Sequence, residues 1–192
     1  MNTRIYIIKD PRFDISTREL NKQLQQLGIA SSAKTYVSYD ILNISEQELS
    51  VAAASVFTEP VTEKCLFDCP QHQVLLGVEL LPGQFDIRAD AAMQCCRLLF
   101  NHNNISVRSF MLFGFDNLKP NELDLIKKHL INPVDSAEKN LAVLNDPNAY
   151  WLDQNVYHNY RFAWEPRSLG VVTFDGLNQY GYPYNIGTTI TN

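Results

Sequence analysis

The chain has 192 residues, of which 45% are apolar and 19% charged. That length holds one ordinary domain or two small ones, and the composition excludes a disordered chain. Sixteen Lys and Arg against 21 Asp and Glu give a net charge of −5. No segment gathers Lys and Arg into a basic face, which argues against a nucleic-acid binder. The apolar runs are broken by Glu79, Gly or Pro well short of the roughly 20 residues that cross a bilayer. The N-terminus turns charged within ten residues and lacks a small-residue cleavage site, unlike a signal peptide.

In chain order, Ile5–Ile8 is β-branched and apolar and predicts a first strand. A capping box at Ser16-Thr17-Arg18-Glu19 predicts a helix whose apolar face is Leu20, Leu24 and Leu27 and whose stop is Gly28. Lys34–Leu42 predicts a strand with Tyr36, Ser38 and Asp40 on one face and Val37, Tyr39 and Ile41 on the other. Ser45-Glu46-Gln47-Glu48 is a second capping box, opening a helix that buries Leu49, Ala52 or Ala53, and Val56. Cys65-x3-Cys69-x2-His72 offers three zinc-type ligands, but no further CxxC or HxxxH completes the set and Pro70 interrupts it. It reads as a loop between strands.

Val74–Leu81 predicts the next strand, followed by the turn Pro82-Gly83-Gln84. Asp86 is the expected N-cap of a helix with Ile87, Ala91, Cys95 and Leu98 or Leu99 on one apolar face. Ser106–Phe115 is a strand, and Pro120 stands near the start of a helix with the stripe Leu123, Ile126, Leu130. Asp135-x-x-Glu138 can cap one short helix within Asp135–Leu144. Beyond Asn148 the chain changes character, with ten of the 21 aromatics, no lysine and a plausible strand at Leu169–Phe174. So aromatic a segment is expected to pack on the rest of the chain or on a partner. Four cysteines, two of them adjacent at Cys95 and Cys96, suit a reducing cytoplasm.

Slid against itself, the chain matches. Phe13-Asp14-Ile15 recurs as Phe85-Asp86-Ile87, Asn43-Ile44 as Asn117-Leu118, and Phe57-Thr58-Glu59-Pro60-Val61 as Leu130-Ile131-Asn132-Pro133-Val134. The offsets of 72, 74 and 73 predict one unit used twice, over residues 3–62 and 74–135, each reading strand, helix, strand, helix. The fold class expected is a two-layer α+β domain over 1–147, with helices on one side of its sheets and 148–192 as a tail.

Leu80–Leu99, LLPGQFDIRADAAMQCCRLL, resembles a signature in the N-terminal domain of the large single-chain phosphoribosylformylglycinamidine synthases. The match runs through Leu81–Asp86, Arg88–Asp90, Ala92, Gln94 and Cys95, and departs at Ile87 and Ala91. It extends to Arg4-Ile5-Tyr6, Tyr39-Asp40-Ile41, Val56–Val61 and Leu130–Val134. The resemblance implies tandem PurS-like repeats, related to ferredoxin-like folds with antiparallel sheets. It implies a non-catalytic scaffold in purine biosynthesis that organises synthetase and glutaminase domains for ammonia transfer. Those domains are the implied partners. ATP and Mg are expected only in the synthetase, so no cofactor or metal is expected in this chain. The family's next linker is echoed at Tyr150-Trp151-Leu152-Asp153, but Gln154 stands where its first histidine belongs, and an amide cannot serve as acid or base.

Within the resemblance, Gln84, Arg88 and Asp90 are the expected partner-binding residues, Arg88 through a bidentate fork to a carboxylate. Asp14 and Asp86 are expected to cap helices. No histidine is assigned to catalysis. A monomer in the cytoplasm, without membrane or nucleic-acid contact, is expected. A second reading stays open: a diverged stand-alone relative acting as an interaction or regulatory protein.

Overall fold

A computed structural model describes residues 1–144; the expected strand at 169–174 and the linker-like Tyr150–Asn155 lie outside the described residues. Residues 1–81 and 85–144 form one compact unit. Six strands make a single antiparallel sheet in the order β3-β1-β2-β5-β4-β6. They are β1 (Thr3–Lys9), β2 (Ser32–Leu42), β3 (Glu63–Leu66), β4 (Val74–Leu80), β5 (Ser106–Asp116) and β6 (Ser136–Lys139). Four helices connect them: α1 (Ile15–Gln26), α2 (Glu46–Ala52), α3 (Ile87–Phe100) and α4 (Leu123–Leu130). The fold is thus α+β.

The strand order reads alike from either edge. β1, β2 and β3 have 7, 11 and 4 residues, and so do β4, β5 and β6. In the centre β2 and β5 pair along all 11 residues, and Val37 lies opposite Met111, 74 positions on.

Period-2 alternation gives this sheet two apolar faces. One carries the helices. There Ile5 and Ile7 of β1, Tyr39 and Ile41 of β2 and Val107 of β5 pack with Leu49 and Ala52 of α2 and Ala89, Ala92 and Cys96 of α3. A second cluster joins Leu20 and Leu24 of α1 with Leu76 of β4, Phe115 of β5 and Ile126 of α4. Each core therefore draws on both halves of the described residues. The opposite face holds Tyr6, Tyr36, Phe110 and Leu112, with Leu66, Leu75 and Leu141 against them. Tyr36, Ser38 and Asp40, read from sequence as a polar face, are at most 5% exposed.

Several local expectations are corrected. The N-cap of α1 is Asp14, not Ser16: its carboxylate accepts from Thr17 N at 3.0 Å, and Ser16 lies inside the helix. Its C-terminus does end at Gly28 (φ +74), where Ile29 N bonds Leu24 O at 2.9 Å. At α2 the Ser45–Glu48 capping box forms in both directions, and the helix runs on through a π-helical turn, Ala53–Phe57. Pro120 sits in the turn before α4, and no short helix follows Asp135. Ser136–Lys139 is instead β6, because the outer edge of β4 offers it backbone partners.

α3 departs most from expectation. Its buried side is Ala89, Ala92 and Cys96, while Ile87, Ala91, Cys95 and Leu98 face solvent. Small residues let α3 lie close on the sheet, and the large apolar residues were left for the outside.

Candidate functional site

Where a neighbouring strand stops short, helix side chains finish the sheet. β1 pairs β2 only over Val37–Ile41. Beyond it, Asn21 of α1 bonds both Ala33 N and Ala33 O at 2.8 Å, and Thr17 Oγ1 accepts from Thr35 N at 3.0 Å. In the other half β4 stops at Phe110, and Asp86 takes the next position of β5. Its carboxylate accepts from Ser109 N at 3.0 Å and from the Ser109 hydroxyl at 2.9 Å, while also capping α3 through Ala89 N at 2.9 Å. Asp14 caps α1 and binds Lys34 Nζ at 2.7 Å. Burial opposes ionisation of Asp14, but Lys34 and the Thr17 amide outweigh it and hold its carboxyl below the usual value.

The opposite face of the sheet holds two polar clusters that the sequence reading missed. In the first, Arg4 grips Asp40 at 2.5 and 3.1 Å, and Lys139 binds Asp40 at 3.1 Å and Glu79 at 2.9 Å. Both cations lie over the Phe110 ring, at 5.1 and 4.8 Å. Arg4 also donates to Leu141 O and Val143 O, pinning the segment after β6 across this face. Two cations and two carboxylates balance in formal charge, as burial requires.

In the second cluster His72 stands between Tyr36 Oη, 2.8 Å from Nε2, and Asp116, 2.8 Å from Nδ1. Its ring lies on Gly114 of β5, where any Cβ would collide with it. His72 holds Asp116 below the usual carboxylate range, helped by Gln73 N. Burial, with Asp116 nearby, pushes Tyr36 up, and burial with Cys69 alongside pushes Tyr6 up to about 12. Both ring nitrogens of His72 are thus engaged within the fold. The cluster is a pin holding the β3–β4 loop to the sheet. Its sequence signal was Gly114, a glycine in mid-strand, which marks a close approach.

His72, Cys65 and Cys69 do not gather as ligands. Cys65 packs toward the helix-side core, and among the described residues no group of three or more His, Cys, Asp or Glu is placed to hold a metal. Burial raises the Cys65 and Cys96 thiols to about 11, so neither is a ready nucleophile.

Of the expected partner-binding residues, Gln84 is exposed in the turn that Gly83 closes with φ +91. Arg88 is exposed on the first turn of α3, with its Nη1 3.8 Å from Met111 Sδ. Asp90 accepts from Gln94 Nε2 at 2.6 Å. Two residues apart on a helix is about 200° of rotation, so Arg88 and Asp90 flank the apolar ridge of α3 from opposite sides. Asp86, between Gln84 and Arg88 in sequence, points inward as the N-cap of α3. No protein-family model and no curated protein matches the chain.

Proposed function

We propose that this chain is a non-catalytic scaffold module of the phosphoribosylformylglycinamidine synthase type, serving de novo purine biosynthesis in the cytoplasm. It would hold synthetase and glutaminase parts in the geometry that ammonia transfer needs, while ATP and Mg belong to the synthetase. The two halves, β1-α1-β2-α2-β3 and β4-α3-β5-α4-β6, are then tandem PurS-like units related to ferredoxin-like folds.

The observation that carries this reading is the sheet's central ladder. Val37 faces Met111, its own counterpart 74 positions later, with strands of equal length to either side. A two-fold axis at that point is the arrangement two copies of a small subunit make on pairing, and fusion of two copies would preserve it. The Leu80–Leu99 pattern supplies the family.

The test is capture of separately produced synthetase and glutaminase parts by the tagged chain, followed by assay of glutamine-dependent amidine formation. Binding to at least one part, with restored glutamine use on mixing, is expected. Failure to bind either part overturns the scaffold reading.

A further inference from the structure

We infer that the surface each half turns to the other also fits a second copy of this chain, and that two chains exchange halves through the strap of residues 67–73. The first half is residues 1–66 and the second is residues 74–144. What holds them together is the β2–β5 ladder and two cores to which both contribute. None of those contacts depends on which chain supplies the partner half. The choice between a closed monomer and an exchanged dimer therefore rests on the strap.

The strap is near the end of its reach. It leaves β3 at Leu66, level with Phe110 of β5, and enters β4 at Val74, level with Phe115. Between β3 and β4 lie β1, β2 and β5. Four strand spacings of about 4.8 Å across, and five residues of about 3.4 Å along, put Leu66 and Val74 about 25 Å apart. Its eight Cα steps span about 26–29 Å at full extension. A flexible chain of that length averages only about 16 Å end to end. The strap thus works well beyond its relaxed length, which lowers the effective concentration of one half at the other within a chain.

The contacts of the strap mark its hinge. Gln73 N bonds Asp116 at 3.1 Å, and the Gln73 side chain bonds Leu118 O and N at 3.2 and 3.1 Å. His72 bonds Asp116 as well. These ties lie within the second half and survive whichever first half it pairs with; Tyr36 of the other chain then meets His72. Phe67, Asp68 and Cys69 are exposed, and the chain bends at Phe67 and Asp68. There the path can change at least cost.

Pairing of like halves fits less well. α3 sets small Ala89, Ala92 and Cys96 against Leu49 and Phe57, whereas α1 sets Leu20 and Leu24 against Ile126. Two first halves would bring Leu20 and Leu24 onto Leu49 and Phe57 and overfill the core. Two second halves would bring the small residues onto Ile126 and leave a cavity. Lys139 would also lose Asp40. The partner of each half is therefore the unlike half of a second copy.

The experiment refolds the full chain from urea, with reductant, at about 2 and about 200 µM, and reads its mass by ultracentrifugation after dilution to one concentration. A dimer fraction at least tenfold larger from the concentrated sample is expected, decaying over hours because its return requires the ladder to open. Deletion of Phe67–Cys69 leaves five steps, which reach about 18 Å at most. That variant should be dimeric even at the lower concentration, with wild-type circular dichroism and a melting midpoint that rises with concentration. Inserting about eight Gly and Ser residues after Asp68 relaxes the strap and should cut the dimer fraction at least fivefold. A wild type that stays monomeric after concentrated refolding overturns the exchange. So does a deletion variant that folds as a monomer, or one with no cooperative melt at any concentration, since halves of different chains then fail to pair. An insertion variant as dimeric as wild type also overturns it, because the strap then does not decide the pairing.

Discussion

Gly114 and Asp40 show how much single positions carry on the sheet face that lacks helices. A methyl group at 114 would meet the His72 ring, whose two nitrogens are already fixed by Tyr36 and Asp116. Gly114→Ala is expected to destabilise by about 1–3 kcal/mol through overpacking, read as a lower denaturant midpoint with an unchanged slope. The paired substitution His72→Ala should recover part of that loss, because the obstruction is the ring itself. Asp40 has no exposed surface in its side chain and sits between Arg4 and Lys139. Asp40→Ala leaves two cations without that partner in a buried setting, and a loss of about 3–5 kcal/mol is expected in the same measurement. By contrast Arg12→Ala, which breaks a solvent-exposed pair with Asp10, should leave the midpoint where it was.

Among the elements, what the sequence disclosed and what it hid have separate physical causes. Helix positions and ends came through where local chemistry decides them, as with Ser45 and Glu48 at α2, Gly28 after α1 and Asp86 before α3. The Ser16 box failed because Asp14, two residues earlier, offers a carboxylate that both the helix amide and Lys34 use. β3 and β6 were missed because four-residue edge strands have too few side chains to show alternation; their pairing partners, β1 and β4, define them. The apolar stripe of α3 was visible, but periodicity reports only that a stripe exists and not which side faces the core. The second apolar face of the sheet was hidden by Ser38 and Asp40, which read as solvent-facing; Asp40 is instead covered by Arg4, opposite it on β1, and by Lys139 of β6. At α2 the cap also titrates. Ser45 N, its hydroxyl and then His102 lower Glu48 from 4.5 to about 2. A depressed carboxyl favours the fold above its ordinary value, and that contribution is lost as pH falls from about 4.5 toward 2. Wild type should therefore lose more stability across that interval than Glu48→Gln, measured by chemical denaturation at each pH.

At the scale of the whole molecule, neither half has a core of its own. The cluster around Ile5 and Leu49 needs Ala92, Cys96 and Val107, and the cluster around Leu76 and Ile126 needs Leu20 and Leu24. Residues 1–72 or 73–144 produced alone should show no cooperative thermal transition at low micromolar concentration by circular dichroism. Mixing the two should restore one, and a cooperative melt of either half as a monomer would contradict this dependence. The central ladder has a kinetic corollary as well. Its paired residues stand 64 to 84 positions apart, and it is the longest ladder in the sheet. Closing so large a loop costs chain entropy before any contact repays it, which places the chain among slow folders, on the millisecond-to-second scale. Until that closure, β2 and β5 each display an 11-residue unpaired edge to any other chain nearby. The same strands that join the halves in the native protein are thus where aggregation would begin during synthesis, and dilution or chaperone protection at that stage governs how much folded protein results.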